Sequence, residues 1–127
     1  MLVQHFLGEK ICNTLEELER ELEIRNDKGV NEFILSFDEE LPLVYMNVNK
    51  EYASLNYYYE ENDPGYVSIG NNNGLDEKED MVFYTALGNK TFLVPNYSVV
   101  MFEEAKQAAV EFFKIKKLPQ SIEWEEL

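Results

Sequence analysis

The sequence predicts an α+β domain: an antiparallel sheet of about six to seven strands, with an N-terminal helix and a C-terminal helix packed on one face. Three observations lead there. Helical periodicity is confined to two stretches, one towards each end of the 127-residue chain. Short segments with period-two alternation lie between them. The tight turns joining these segments imply that neighbours in sequence pair antiparallel.

The first helix is expected over residues 11–25. Ile11, Leu15, Leu18 and Leu22 recur at helical spacing, and Glu16, Glu17, Glu19, Arg20, Glu21 and Glu23 fill the other face. Asn13 followed by Glu16 has capping-box spacing, and Glu16–Arg20 and Glu21–Arg25 are favourable i,i+4 pairs. Strands follow. Phe33, Leu35 and Phe37 share one face of a first strand, and Val44, Met46 and Val48 share one face of a second. In a third, Leu55, Tyr57 and Tyr59 stand together with Asn56 and Tyr58 opposite. Asp63-Pro64-Gly65-Tyr66 fits a type II turn into a short strand over Tyr66–Ile69. Met81–Leu87 and Thr91–Val94 read as a hairpin turned at Gly88-Asn89, ended by Pro95. The second helix spans about Phe102 to Lys114, without a good cap at Met101, and Leu118-Pro119 breaks it. Ser121–Trp124 alternates as a terminal strand, in which Trp124 anchors the core and its indole N–H finds an acceptor. Leu18, Phe102 and Phe112 join that core. No repeat or linker divides the chain, so residues 1–127 form one domain.

The charge is strongly asymmetric. Asp and Glu number 25 against 11 Lys and Arg, a net charge of −14. Such a chain repels nucleic acid and anionic membranes and favours a basic protein partner. Cys12 is the one cysteine, which rules out an internal disulfide and any cysteine-pair metal site. The start lacks a basic leader, its apolar run is broken at Gln4, His5 and Gly8, and no stretch approaches the ~20 apolar residues that span a bilayer. The corresponding expectation is a soluble protein of a reducing cytoplasm.

Catalytic signals are sparse. His5, the one histidine, reads as a bystander at a mobile or strand-edge terminus, and Cys12 as a small buried hydrophobe. Gly70-Asn71-Asn72-Asn73-Gly74 is followed by D-E-K-E-D, which repels phosphate, so it reads as a surface loop. Asp76, Glu77, Glu79 and Asp80 miss the ligand pattern of a calcium loop. No metal and no cofactor are expected.

Acid is nevertheless clustered at the strand connections: Asp38, Glu39 and Glu40, then Glu60, Glu61 and Asp63, then Asp76, Glu77, Glu79 and Asp80. Each cluster alone is a solvated turn. Three on one small sheet make a broad negative surface, and Tyr58, opposite the apolar alternation, is the leading candidate for an exposed ring within it.

The C-terminal third carries a more specific pattern. Glu103-Glu104-Ala105 opens a helix that closes near Phe112-Phe113, a linker holds Pro119, and Trp124-Glu125-Glu126 ends the chain. With Thr14-Leu15-Glu16-Glu17-Leu18 near the start and Ser68-Ile69-Gly70 mid-chain, it resembles the first immunity-protein family of bacterial polymorphic toxin systems. That resemblance implies a cytoplasmic α+β protein, encoded beside a secreted toxin, that binds the toxin domain and blocks it without catalysis. The toxins of such systems are mostly enzymes that attack nucleic acid, deaminases and nucleases among them. They require a basic substrate cleft, the partner that the net charge favours independently. The three acidic clusters and Tyr58 are therefore the expected toxin-binding residues. Two other readings stay open: an acidic nucleic-acid mimic directed at another DNA- or RNA-binding protein, and a small enzyme working with two carboxylates.

Overall fold

The computed structural model describes residues 1–71 and 73–127, so the central Asn72 of the glycine–asparagine run lies outside the described residues. Ten strands and two helices succeed one another as β1 (Leu2–His5), β2 (Gly8–Ile11), α1 (Leu15–Leu22), β3 (Val30–Ser36), β4 (Leu43–Asn49), β5 (Tyr52–Tyr58), β6 (Tyr66–Ile69), β7 (Asp80–Thr85), β8 (Lys90–Pro95), β9 (Val100–Met101), α2 (Phe102–Ile115) and β10 (Glu123–Glu126). Eight strands form the main sheet, ordered β10-β6-β5-β4-β3-β1-β2 with β9 beside β5. Its pairings are antiparallel, which bears out the expected α+β class. The β7–β8 hairpin forms a separate two-stranded sheet.

The N-terminus departs from expectation. Residues 8–11 form a strand rather than entering the helix: Ile11 lies opposite Leu2, and the Cys12 amide donates to the Met1 carbonyl at 2.8 Å. That pairing keeps the chain extended until Thr14, which caps α1 in place of Asn13 by accepting the Glu17 amide on its hydroxyl. The helix is only eight residues long, so Arg25 falls outside it and the Glu21–Arg25 pair has no helical geometry to form on. Instead Arg25 donates to the Leu22 and Ile24 carbonyls and lies 4.4 Å from the centre of the Phe102 ring, where burial lowers its pKa. Glu16–Arg20 is likewise absent from the ion pairs of the described residues; Glu23 bonds Lys106 of α2 at 2.8 Å. His5 is not at a strand edge. It sits on β1, which is paired on both sides, with Nε2 3.0 Å from Glu21 and Nδ1 accepting the Leu7 amide.

Alternation along β3, β4 and β5 sends Phe33, Leu35, Val44, Met46, Val48, Ala53, Leu55 and Tyr57 to one face, all buried. Leu18 and Leu22 of α1 and Phe102, Ala105, Ala108, Ala109 and Phe112 of α2 complete this core. The small side chains of α2 let its backbone approach the sheet closely, while Phe112 reaches in against Tyr57 and Phe37. Glu104 supplies the N-terminal cap that Met101 lacks, its carboxylate accepting the Met101 amide at 3.2 Å. Trp124 packs on the same core and donates its indole N–H to the Pro119 carbonyl at 2.7 Å, as expected.

The other face is polar, carrying Glu32, Tyr45, Asn47, Asn49 and Ser54, and the β7–β8 hairpin covers part of it. Asn49 donates to the Val82 carbonyl, and Phe83 lies in a small cluster with Val94 and Val99. The hairpin turn is longer than the expected two residues, running through Ala86, Leu87, Gly88 and Asn89, of which the first three have positive φ.

A junction on β5 holds the two ends of the domain together. Its second half pairs with β6 and its first half with β9. Where the two partners diverge, the buried Ser68 hydroxyl accepts the Leu55 amide at 3.0 Å and donates to the Ser98 carbonyl at 2.8 Å. Gly70 follows, so close to Val99 that a Cβ would fall 1.6 Å from the Val99 carbonyl oxygen. Only glycine fits there.

Candidate functional site

β3 ends, β4 begins, β5 ends and β6 begins at the same end of the main sheet, as the Leu35–Val44, Leu43–Tyr58 and Tyr57–Tyr66 registers require. The loops 37–42 and 59–65 therefore emerge side by side. Asp38, Glu39 and Glu40 are exposed on the first, and Glu60 and Glu61 on the second, with Asp63 half-buried. Two of the three acidic clusters are thus brought together. Asp38 and Glu39 also stand on the wall of an open cleft of about 920 Å³, whose other lining groups include Leu2, Ile11, Phe37, Pro42 and Phe113.

The loop 59–65 is held in shape from within. Asp63 accepts the Gly65 amide at 2.6 Å, and Gly65 takes the positive φ expected of its turn, +81°. A Cβ at Gly65 would sit 2.5 Å from the Tyr57 carbonyl and 2.7 Å from the Tyr58 ring, so glycine is required for the close approach as well. That approach explains a correction. Tyr58 does face away from the core, but the loop folds against its ring and leaves it half-buried. The exposed ring is Tyr59, 44% accessible, which runs past the last paired residue of β5.

Tyr59 belongs to an aromatic group with Tyr57, Tyr66 and Trp124, their centroids 6.1–6.5 Å apart in the pairs that include Tyr57. The neighbouring Asp63 carboxylate, first as hydrogen-bond acceptor and then as charge, pushes the Tyr59 hydroxyl up to about 12. The Tyr66 hydroxyl donates to Glu126 at 2.8 Å and is raised for the same reason. Sequence reasoning missed Tyr59, Tyr66 and Glu126 as members of this end. Glu126 is placed there by the β10–β6 register, which sets it opposite Tyr66.

The third cluster lies elsewhere. β6 runs to the opposite end of the sheet, where the Gly70 amide donates to the Tyr97 carbonyl. Asp76 is tied to that region through its carbonyl, which accepts from the Asn96 side chain at 2.8 Å. Asp76, Glu77, Glu79 and Asp80 are exposed at the foot of the β7–β8 hairpin. The acidic surface is therefore split into one region at each end, because β6 carries the chain across the sheet between the second and third clusters.

Cys12 is fully buried and its thiol is raised by burial, in agreement with a packing role. Among the described residues, no group of three or more His, Cys, Asp or Glu side chains is arranged to hold a metal ion. None of their helices is long and apolar enough to cross a membrane.

Fold and site together define a small α+β domain that presents an acidic, tyrosine-bearing end. The chain belongs to the immunity protein Imm1 family, whose family model matches residues 6–126. Membership implies an immunity protein, an inhibitor that binds a toxin, and bears out the resemblance read from the C-terminal third. No curated protein matches the chain. The recognisable residues turn out to be residues of folding: Glu104 caps α2, Ala105 and Phe112 fill the core, and Pro119 receives the Trp124 N–H. They build the scaffold.

Proposed function

We propose that this chain neutralises a cognate secreted toxin, a deaminase or nuclease that acts on nucleic acid, by laying its acidic end over the toxin's basic substrate cleft. The supporting observation is the convergence of Asp38, Glu39 and Glu40 with Glu60, Glu61 and Asp63 at one sheet end beside the exposed Tyr59. Carboxylates steer a cationic surface into contact, and the ring, with Leu2, Ile11 and Phe37 in the cleft behind Asp38, supplies area that loses water on docking. A specific contact of this type buries on the order of 1,600 Å² in total. The encounter takes place in the cytoplasm, where the toxin's nucleic-acid substrate is found, and requires neither cofactor nor metal.

The test is stopped-flow association with the toxin domain encoded beside this gene, across a range of salt concentrations. Charge reversal at Glu39, Glu40, Glu60 and Glu61 is expected to slow association at low salt by about tenfold or more and to flatten its salt dependence. Unchanged association in the quadruple variant would remove this surface from the interface.

A further inference from the structure

Four of the large apolar side chains exposed to solvent among the described residues lie on the β7–β8 hairpin and the turn after it. Leu87 is 70% accessible, Leu93 63%, Tyr97 46% and Val82 38%. Register explains why they group. Val82 lies directly opposite Leu93, and Asp80 opposite Pro95, so these residues share the hairpin's outer face while Phe83 and Val94 turn inwards to their cluster. A two-stranded ribbon needs only its inner face for stability, yet on the outer face Val82, Leu93 and Pro95 form an apolar strip between Asp80 and the Tyr84–Thr91 pair, where an idle surface is polar.

The tip adds an independent sign. Ala86 and Leu87 both take left-handed backbone conformations, φ +51° and +59°, which residues with a Cβ disfavour. A glycine would sit there more comfortably. Leucine instead places a 70% accessible apolar side chain at the hairpin turn, and backbone held in a disfavoured region is a mark of sites kept for function.

We infer that the outer face of this hairpin, Val82, Leu93 and Pro95 with Leu87 at the tip, is a second contact for the same toxin domain, gripping an apolar patch bordered by lysine and arginine outside the catalytic cleft. Charge selects that occupant. Asp80 continues the outer face, and Asp76, Glu77 and Glu79 flank it, outnumbering Lys78 on their turn and Lys28 over the Tyr84 ring; the turn is pinned by Asn96 and by the Asp76 carboxylate, which accepts the Lys78 amide. In a chain of net charge −14, a second copy would set like charges against each other around this patch, whereas a cationic border pairs with them. The inference rests on the proposed toxin blockade and adds a division of labour to it. The acidic end governs the rate of capture, and the apolar hairpin governs the rate of release.

Two variants test it against the inactivated toxin domain encoded beside the gene. Leu87→Gly removes the side chain and relieves the left-handed backbone, so its melting temperature is expected to match or exceed the parent's. Leu93→Thr removes the apolar side chain and puts a β-branched residue, favoured in strands, on an exposed strand. The double variant is expected to release the toxin about tenfold faster or more while associating at the parent's rate with the parent's salt dependence. Release unchanged within about twofold, in a double variant that melts no lower than the parent, overturns the second contact and leaves the toxin blockade standing. A parent that fails to bind the toxin at all removes both. Concentration-dependent dimers of the parent in sedimentation, abolished in the double variant while toxin release is unchanged, would assign the face to a second copy and overturn the inference.

Discussion

The helix-covered face of the main sheet is closed mainly by aliphatic and aromatic side chains, whereas the hairpin-covered face keeps Glu32, Tyr45, Asn47, Asn49 and Ser54 under or beside its cover. The first is built for stability. Burying aliphatic and aromatic groups gains about 25 cal/mol per Å², and two helices bring enough of them to form one continuous core. Among the described residues the second gathers Phe83, Val94 and Val99 into a small buried cluster, and it is joined to the sheet partly by single hydrogen bonds such as Asn49 to Val82. A cover held by fewer apolar contacts opens more readily, which suits an element whose outer face is proposed to engage a partner.

The sharpest way to test that contrast is to remove one phenylalanine from each side. Phe33→Ala, in the main core, is expected to cost about 3–5 kcal/mol of global stability in urea unfolding. Phe83→Ala is expected to cost less, about 2–3 kcal/mol, because its small cluster can open without unfolding the sheet. Hydrogen exchange would then show lost protection confined to β7, β8 and their turn. Equal costs with uniform exchange would mean that both faces belong to one cooperative unit.

A middling effect is expected where the two ends of the domain meet. Ser68→Ala deletes a hydroxyl that serves the Leu55 amide and the Ser98 carbonyl at once, leaving both buried without that partner. The loss should be about 2 kcal/mol, read as a lower urea midpoint at constant slope. An unchanged midpoint would show that β5 does not need this bridge to hold β6 and β9 together.

These residues also mark the limit of what the sequence discloses. Period-two alternation gave the faces of β3, β4 and β5 correctly, because one side of each strand is committed to the core. It could not announce β2, whose four residues are all exposed and so carry no alternation to read. The helical stripe ran on to Ile11 for the same reason: local spacing cannot see that Leu2 lies opposite. Tyr58 was placed on the correct face, yet exposure does not follow from facing away from one core when a loop folds back over the other side. The convergence of two acidic loops, and the separation of the third, depend on strand direction across the whole sheet, which no local segment encodes.

The smallest expected effect separates the tyrosines of the two faces by their alkaline titration. On the hairpin-covered side, burial first and its bond to Glu32 next raise the Tyr45 hydroxyl strongly. At the acidic end, Asp63 brings Tyr59 to about 12 without burial, and Glu126 raises Tyr66. Each phenol holds its proton more tightly folded than unfolded. Their contribution to stability is therefore complete below the ordinary value of 10 and is lost as pH rises from there through the folded values. For Tyr59 and Tyr66 that contribution is small, since solvent screens a surface pair. Asp63→Asn takes away the charge that acts on Tyr59 and keeps an acceptor for the Gly65 amide. Phenolate absorbance should then show Tyr59, and to a smaller extent Tyr66, returning towards 10 while the late titration of Tyr45 is untouched. Movement of Tyr45 as well would mean that the two faces are electrostatically continuous, and the division between a packed side and a recognising side would have to be redrawn.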